Sequence, residues 1–240
     1  MGPLSRNAQR HLTRRFVLVL ALTLPTTMML AASPAHPAPA AQAGAKTKCV
    51  NVKTGFARYA SNGACRKGER RDRKPCAKGG SCVVGDVGPG RGKVFFASRT
   101  KQPWGRYLEA APATWNSRDG DPNIMWCQDV TNVLAGVDAT GIGAGAANTA
   151  GMLGTCTTDA AVVAHAYRGG GKSDWYLPSR DELRRLFLRK EMVGGFIQHG
   201  YWSSSQVDAT NAWIQDFYAD YEPAPSDKSF ANYVRPIRAF

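Results

Sequence analysis

The chain has 240 residues, and its 31 Lys and Arg against 18 Asp and Glu give a formal net charge of +13. The excess is local: residues 44–106 hold 16 Lys and Arg against Glu69, Asp72 and Asp86, whereas residues 107–240 hold 11 against 15 acids. No aromatic residue interleaves the basic cluster between Arg66 and Lys78, which argues against a nucleic-acid partner, and the length allows one domain with a core plus a small appendage.

The first fifteen residues contain Arg6, Arg10, Arg14 and Arg15 and no acid, and they run into the apolar stretch Phe16 to Leu30. With the small-x-small site Ala41-Gln42-Ala43, this predicts a secretory signal over residues 1–43, cleaved after Ala43. Pro25 and several threonines interrupt a run shorter than the roughly 20 apolar residues of a membrane span, so no transmembrane segment is expected after cleavage. All six cysteines (Cys49, Cys65, Cys76, Cys82, Cys127, Cys156) lie beyond residue 43. An even number in an exported chain predicts disulfides and a secreted or cell-surface location. Fifteen pairings are possible, and sequence order does not select one.

Residues 44–82 read as a small basic module. Cys49 to Tyr59 alternates like a strand and Ser61 to Cys65 reads as a turn, so a hairpin stapled by Cys49 and Cys65 is expected, with Cys76 and Cys82 closing a second loop. A second region, 83–240, opens with a Gly/Pro-rich loop before a strand at Lys93–Ala97, then a strand at Tyr107–Ala111 and a polar loop from Asn116 to Pro122 leading to Ile124–Cys127. Three- and four-residue spacing of Met152, Leu153, Cys156, Ala160, Val163 and Tyr167 predicts one amphipathic helix over 148–167, capped by Asn148 and tied to Cys127 through Cys156. Asp174–Leu177 reads as a short strand. Ser179-Arg-Asp-Glu182 is a capping box that starts a second helix at Arg180, with Leu183, Leu186, Phe187 and Met192 inward and Gly194-Gly195 as its stop. Strands are expected at Tyr201–Ser205, Asn211–Phe217 and Tyr233–Arg238, which makes the whole an α+β domain behind a small β-hairpin module.

Several segments together resemble a known family. The series Val84-Gly-Asp-Val-Gly-Pro-Gly90, Tyr107-Leu-Glu-Ala-Ala-Pro112, Trp175-Tyr-Leu-Pro-Ser179, Tyr201-Trp-Ser-Ser-Ser205 and Val234-Arg-Pro-Ile-Arg238 is similar to the Lcl C-terminal domain family, found at the end of a bacterial collagen-like adhesin. The resemblance spans roughly Val83 to the C-terminus and implies a C-type-lectin-like fold, export, and a binding or adhesion role. The chain has no Gly-X-Y repeat, so no collagen stalk is implied.

The chemistry-bearing residues favour binding over turnover. Gly141-x-Gly143-x-x-Ala146 lacks the strand that a dinucleotide fingerprint requires, so it reads as a flexible lead-in to a helix and no cofactor is expected. His199 lies near Ser203, Ser204 and Ser205, but no nucleophile elbow surrounds them, and these serines are expected to bond backbone; no catalytic residue is assigned. No cysteine follows Cys156, which excludes a formylglycine-type thiol pair. Asp208, Asp216, Asp220 and Glu222 are too irregularly spaced to predict a metal site, and the lectin-like calcium loop is reduced to Glu222-Pro223-Ala224. Two candidate surfaces remain. Tyr218 and Tyr221 with Asp216, Asp220 and Glu222 suit a sugar ring, while Trp202, Trp213 and Phe217 are assigned to the core. Arg66, Lys67, Arg70, Arg71, Arg73 and Lys74 suit an anionic polymer. The expected function is that of an exported, non-catalytic binding or adhesion protein for a carbohydrate or other envelope or extracellular polymer, with a divergent cell-envelope hydrolase and a structural envelope component as the alternatives.

Overall fold

A computed structural model describes residues 46–72, 74–117 and 120–240. The expected signal segment and Arg73 lie outside them. Near the start, β1 (Lys48–Asn51) is flanked on both edges, by β2 (Ala57–Tyr59) and β3 (Glu69–Arg71), in an antiparallel sheet of order β2-β1-β3. The expected hairpin therefore gains a third strand. Apolar side chains are too few here to make a core, and the Cys49–Cys65 and Cys76–Cys82 disulfides hold the turns instead.

A second sheet follows. The long strand β4 (Lys93–Gln102) returns through a turn to β5 (Gly105–Ala110), and β11 (Ile237–Ala239) adds to its other edge. A third sheet has the order β6-β10-β7-β8-β9, formed by β6 (Asn123–Met125), β7 (Gly200–Gln206), β8 (Asn211–Asp216), β9 (Ala224–Asp227) and β10 (Ala231–Tyr233). All its pairings are antiparallel except that of β10 with β7. Among the described residues four α-helices accompany the sheets: α1 (Gly145–Met152), α2 (Ala160–Ala166), α3 (Arg180–Phe187) and α4 (Lys190–Val193). The fold is α+β.

Two apolar clusters organise the larger region. Trp126, Met152, Leu177, Trp202 and Val234 pack with α1 and α2 on one side, and Phe95, Leu108, Leu183, Phe187, Tyr201 and Phe217 pack with α3 on the other. A third, smaller cluster joins the basic module to the rest: Cys76 and Cys82 lie on Val94, with Tyr107 and Phe240 alongside.

Several local expectations are corrected. The single helix over 148–167 is two helices, because the Cys127–Cys156 disulfide and the segment Thr157-Thr158-Asp159 interrupt it. Asp159 is extended at the start of α2, and its carboxylate accepts from the Gln128 N–H. Asn148 does not cap: it is buried inside α1 and donates through Nδ2 to the Ala139 carbonyl at 2.7 Å. Gly141 to Ala147 is no flexible lead-in, since Gly143 (φ +96°) sits where a Cβ would collide with the Trp104 ring, and its N–H donates to Glu182. Asp174–Leu177 contributes a single bridge, Tyr176 to Ile237. Tyr233–Arg238 is divided into β10 and β11, which belong to different sheets.

The start of α3 follows its sequence closely. The Ser179 side chain accepts from Glu182 N while Glu182 accepts from Ser179 N, and Leu183, Leu186 and Phe187 are buried. Met192 is 44% exposed on the separate turn α4 and is not part of this face. Gly194 and Gly195, with φ of +78° and +69°, end α4 in a conformation that other residues adopt only with strain.

Candidate functional site

The basic module presents its cations outward. Arg66, Lys67, Arg70, Arg71, Lys74 and Lys78 are exposed, and among the described residues none of them pairs with a carboxylate. The local acids are engaged elsewhere. Glu69 receives Arg58 in a two-pronged pair at 2.9 and 2.7 Å and also accepts from Arg66 N, and the Arg58 guanidinium in particular holds its carboxyl below the usual range. Asp72 is also held low: burial opposes its charge, but the Lys74 and Ser81 N–H groups and the nearby Lys48 ammonium outweigh that cost. Lys48 is itself buried, donating to the Lys74 and Ser81 carbonyls. The module's interior is thus neutralised and its rim is left positive.

Beside this rim lies a groove of about 480 Å³ between the module and the β4–β5 turn. Arg70 reaches it from the small sheet, Lys101 and Arg106 from β4 and β5, and Tyr107 and Phe240 supply aromatic surface. No acidic side chain lines it. Sequence reading included Arg70 but missed Lys101 and Arg106, because they lie outside the basic run and reach it only through the packing of two sheets.

The aromatic and acidic surface lies around the turn between two paired strands, β8 and β9, whose register runs from Asn211↔Asp227 to Ile214↔Ala224. Tyr218 and Tyr221 are on the surface, at 68% and 62% exposure, and Phe230 is at 63%. Two of the three acids beside the tyrosines are engaged: Asp220 and Glu222 each pair with Arg184, at 2.7 and 2.9 Å. Asp216 accepts from Tyr218 N and shapes the turn. Trp202 and Phe217 are core, but Trp213 is half-buried with the Arg180 guanidinium 5.2 Å above its ring.

The histidine and serines of the hydrolase alternative do not assemble into a nucleophile and base. Ser203, Ser204 and Ser205 are fully buried on β7, where Ser205 Oγ donates to the Ala139 carbonyl and accepts from Arg180 N. His199 is exposed, with its ring 5.8 Å from that of Tyr233. Two groupings of metal-type side chains exist among the described residues, Cys49–Cys65–Glu69 and Cys127–Cys156–Asp159, and the sulfurs of both are in disulfides. They offer no thiolate to an ion.

Much of the motif series that carries the resemblance lies in the interior. Arg235 makes five hydrogen bonds in the interior: two to Asp121 at 2.6 and 2.7 Å, and one each to the carbonyls of Ala111, Gly194 and Gly195. Asp121 also accepts from Tyr201 Oη and Trp115 Nε1, both at 2.6 Å. Burial, with Asp121 adding to it, pushes the Tyr201 phenol far above its ordinary value, so it remains a donor. Arg238 joins buried Glu109 to Asp174, and Glu109 accepts in turn from the N–H groups of Gly90 and Gly92. Trp175, Trp202 and Trp126 are each fully buried and donate to the main chain at Gly169, Ile124 and Ser203.

All six cysteines are paired, as Cys49–Cys65, Cys76–Cys82 and Cys127–Cys156, the pattern of an oxidising compartment. Among the described residues no helix is long and apolar enough to cross a membrane. No family model matches the chain, and no curated protein matches it.

Proposed function

We propose that this is an exported, non-catalytic binding protein that holds an anionic extracellular or envelope polymer, such as an acidic polysaccharide, through its basic module, with a C-type-lectin-like domain of the Lcl C-terminal type as its support. The observation that carries the reading is the unpaired rim of Arg66, Lys67, Arg70, Arg71, Lys74 and Lys78 beside a groove where Arg70, Lys101 and Arg106 meet without an acidic side chain. A polyanion tracks such a rim through several weak contacts that add along its length and fade as salt shortens the Debye length to about 8 Å at physiological strength. The buried serines and the separately placed His199 favour binding without turnover.

The test is retention on immobilised heparin and on a polyuronate, against dextran as the uncharged control. Retention on the acidic matrices should fall with salt, and Arg70→Glu/Lys101→Glu/Arg106→Glu should elute at much lower salt while remaining folded. Unchanged retention of that variant would exclude the groove. A second reading, a neutral glycan stacked on Tyr218 and Tyr221, is favoured by their exposure alone. It requires dextran or another neutral glycan to bind and to be lost in Tyr218→Ala/Tyr221→Ala.

A further inference from the structure

On the other side of the module, its second strand faces the larger sheet across a separate cavity of about 380 Å³. Its floor and walls are apolar: Phe56 comes from the module, Val83 and Val84 from the connecting loop, Phe95 and Phe96 from β4, and Leu188 from the end of α3. The remaining polar side chains are three arginines, Arg58, Arg185 and Arg189, and no carboxylate lines it. Arg58 is engaged by Glu69. Arg185 and Arg189 are exposed and, among the described residues, form no salt bridge; the Arg185 guanidinium lies 5.9 Å over the Phe96 ring.

We propose that this cavity binds a free single-chain amphiphile with a carboxylate head, of the fatty-acid class: the chain lies between Phe56, Val84, Phe96 and Leu188, and the head meets Arg185 and Arg189. Three observations converge on that chemistry. The volume is within the range of small-ligand cavities, about 300–1,000 Å³. Most of the lining is apolar, and Phe56 and Leu188 in it are left 38% and 46% exposed, a covering that an apolar chain supplies. Arg185 and Arg189 line it and are exposed without a carboxylate partner among the described residues, and guanidiniums suit a planar anion, which accepts paired N–H donors. A cationic or neutral amphiphile would leave those guanidiniums uncompensated. An anionic polymer has no apolar segment for the walls. The site is independent of the groove at Lys101 and Arg106, which shares no lining residue with it.

The test is calorimetric titration of the purified protein with decanoate, hexanoate and decyltrimethylammonium, together with binding to phosphatidylglycerol vesicles. Decanoate should bind saturably at one site, hexanoate at least about tenfold more weakly because fewer methylenes are buried, and the cation not at all. Arg185→Glu/Arg189→Glu should weaken decanoate at least tenfold. Arg70→Glu/Lys101→Glu/Arg106→Glu should leave decanoate unaffected, which separates this site from the polymer groove. Equal binding of hexanoate or of the cation, an unchanged affinity in Arg185→Glu/Arg189→Glu, or vesicle binding without decanoate binding would each overturn the proposal. The wild-type ligand series decides the matter even if the double variant fails to fold.

Discussion

In the basic module, Arg66, Arg70 and Arg71 stand in solvent without carboxylate partners among the described residues, whereas Arg235 and Arg238 near the C-terminus are 1% and 6% exposed and make five and three side-chain hydrogen bonds. The residue type is the same and the roles are opposite. The module is too small to bury most of its cations, so those on its rim stay in solvent and its shape depends on two disulfides. Between β10 and β11, Arg235 donates to the carbonyls of Ala111, just after β5, and of Gly194 and Gly195, just after α4, while neutralising Asp121. Charge is left at the surface in the first region and tied into the architecture in the second.

The largest test of this contrast is to remove the buried arginine. Arg235→Ala strands Asp121 without its counter-charge and should cost about 3–5 kcal/mol, the range for breaking a buried pair, read as a lower urea midpoint. A loss below about 1 kcal/mol would mean that the network is not structural.

The disulfides give the next effect. Cys127→Ser/Cys156→Ser opens a loop with a sequence separation of 29, for which chain entropy predicts a destabilisation of about 3–4 kcal/mol, and the α1–α2 corner should exchange its amides faster. Hydrogen exchange that loosened the distant basic module instead would contradict the local role given to this bond.

A smaller effect depends on pH. The Arg238 hydrogen bonds hold the Asp174 carboxyl below the usual carboxylate range, so this group stabilises the fold above the unfolded value of about 3.9, and the contribution is lost as pH falls through the lower folded value. Asp174→Asn should therefore lower stability modestly near neutrality and flatten the acid limb of a stability–pH curve below about pH 4 by the same amount, which is small because the Asp174 side chain is 55% exposed and Arg238 retains Glu109. An unchanged acid limb would show that the pair is not coupled to folding.

The smallest expected change completes the comparison. Arg66→Ala/Arg71→Ala should shift stability by no more than about 0.5 kcal/mol while reducing retention on heparin, since these side chains lack ion-pair partners. A stability loss comparable to that of Arg235→Ala would erase the distinction between the two regions.

Much of the local structure was legible in the residues. Ser179 to Glu182 specifies a helix start with four contiguous residues, but the stop expected at Gly194-Gly195 comes early: α3 ends at Phe187, and the paired glycines, whose positive φ other residues adopt only with strain, end the separate turn α4. The helix over 148–167 was misread because periodicity counts apolar spacing and is blind to the Cys127–Cys156 bond and the extended Asp159 that break it. Beside Tyr218 and Tyr221, Asp220 and Glu222 pair with Arg184, 36 and 38 residues earlier, a contact that no local pattern in the chain shows. Lys101 and Arg106 were overlooked because nothing near them in the chain shows that Arg70 will face them.

By itself the sequence determined the α+β character, the start of α3 and the residues that can only lie inside, such as Trp202 and Phe217. Each depends on neighbours within a turn or strand, or on composition alone. Tertiary structure alone decided that Val234-Arg-Pro-Ile-Arg238 is an internal tie and not a surface motif, and that cations from two sheets share one groove. Those outcomes depend on groups such as Arg235 and Asp121, separated by 114 residues, and a contact over that distance is selected by the packing of the whole sheet and leaves no local pattern in the chain.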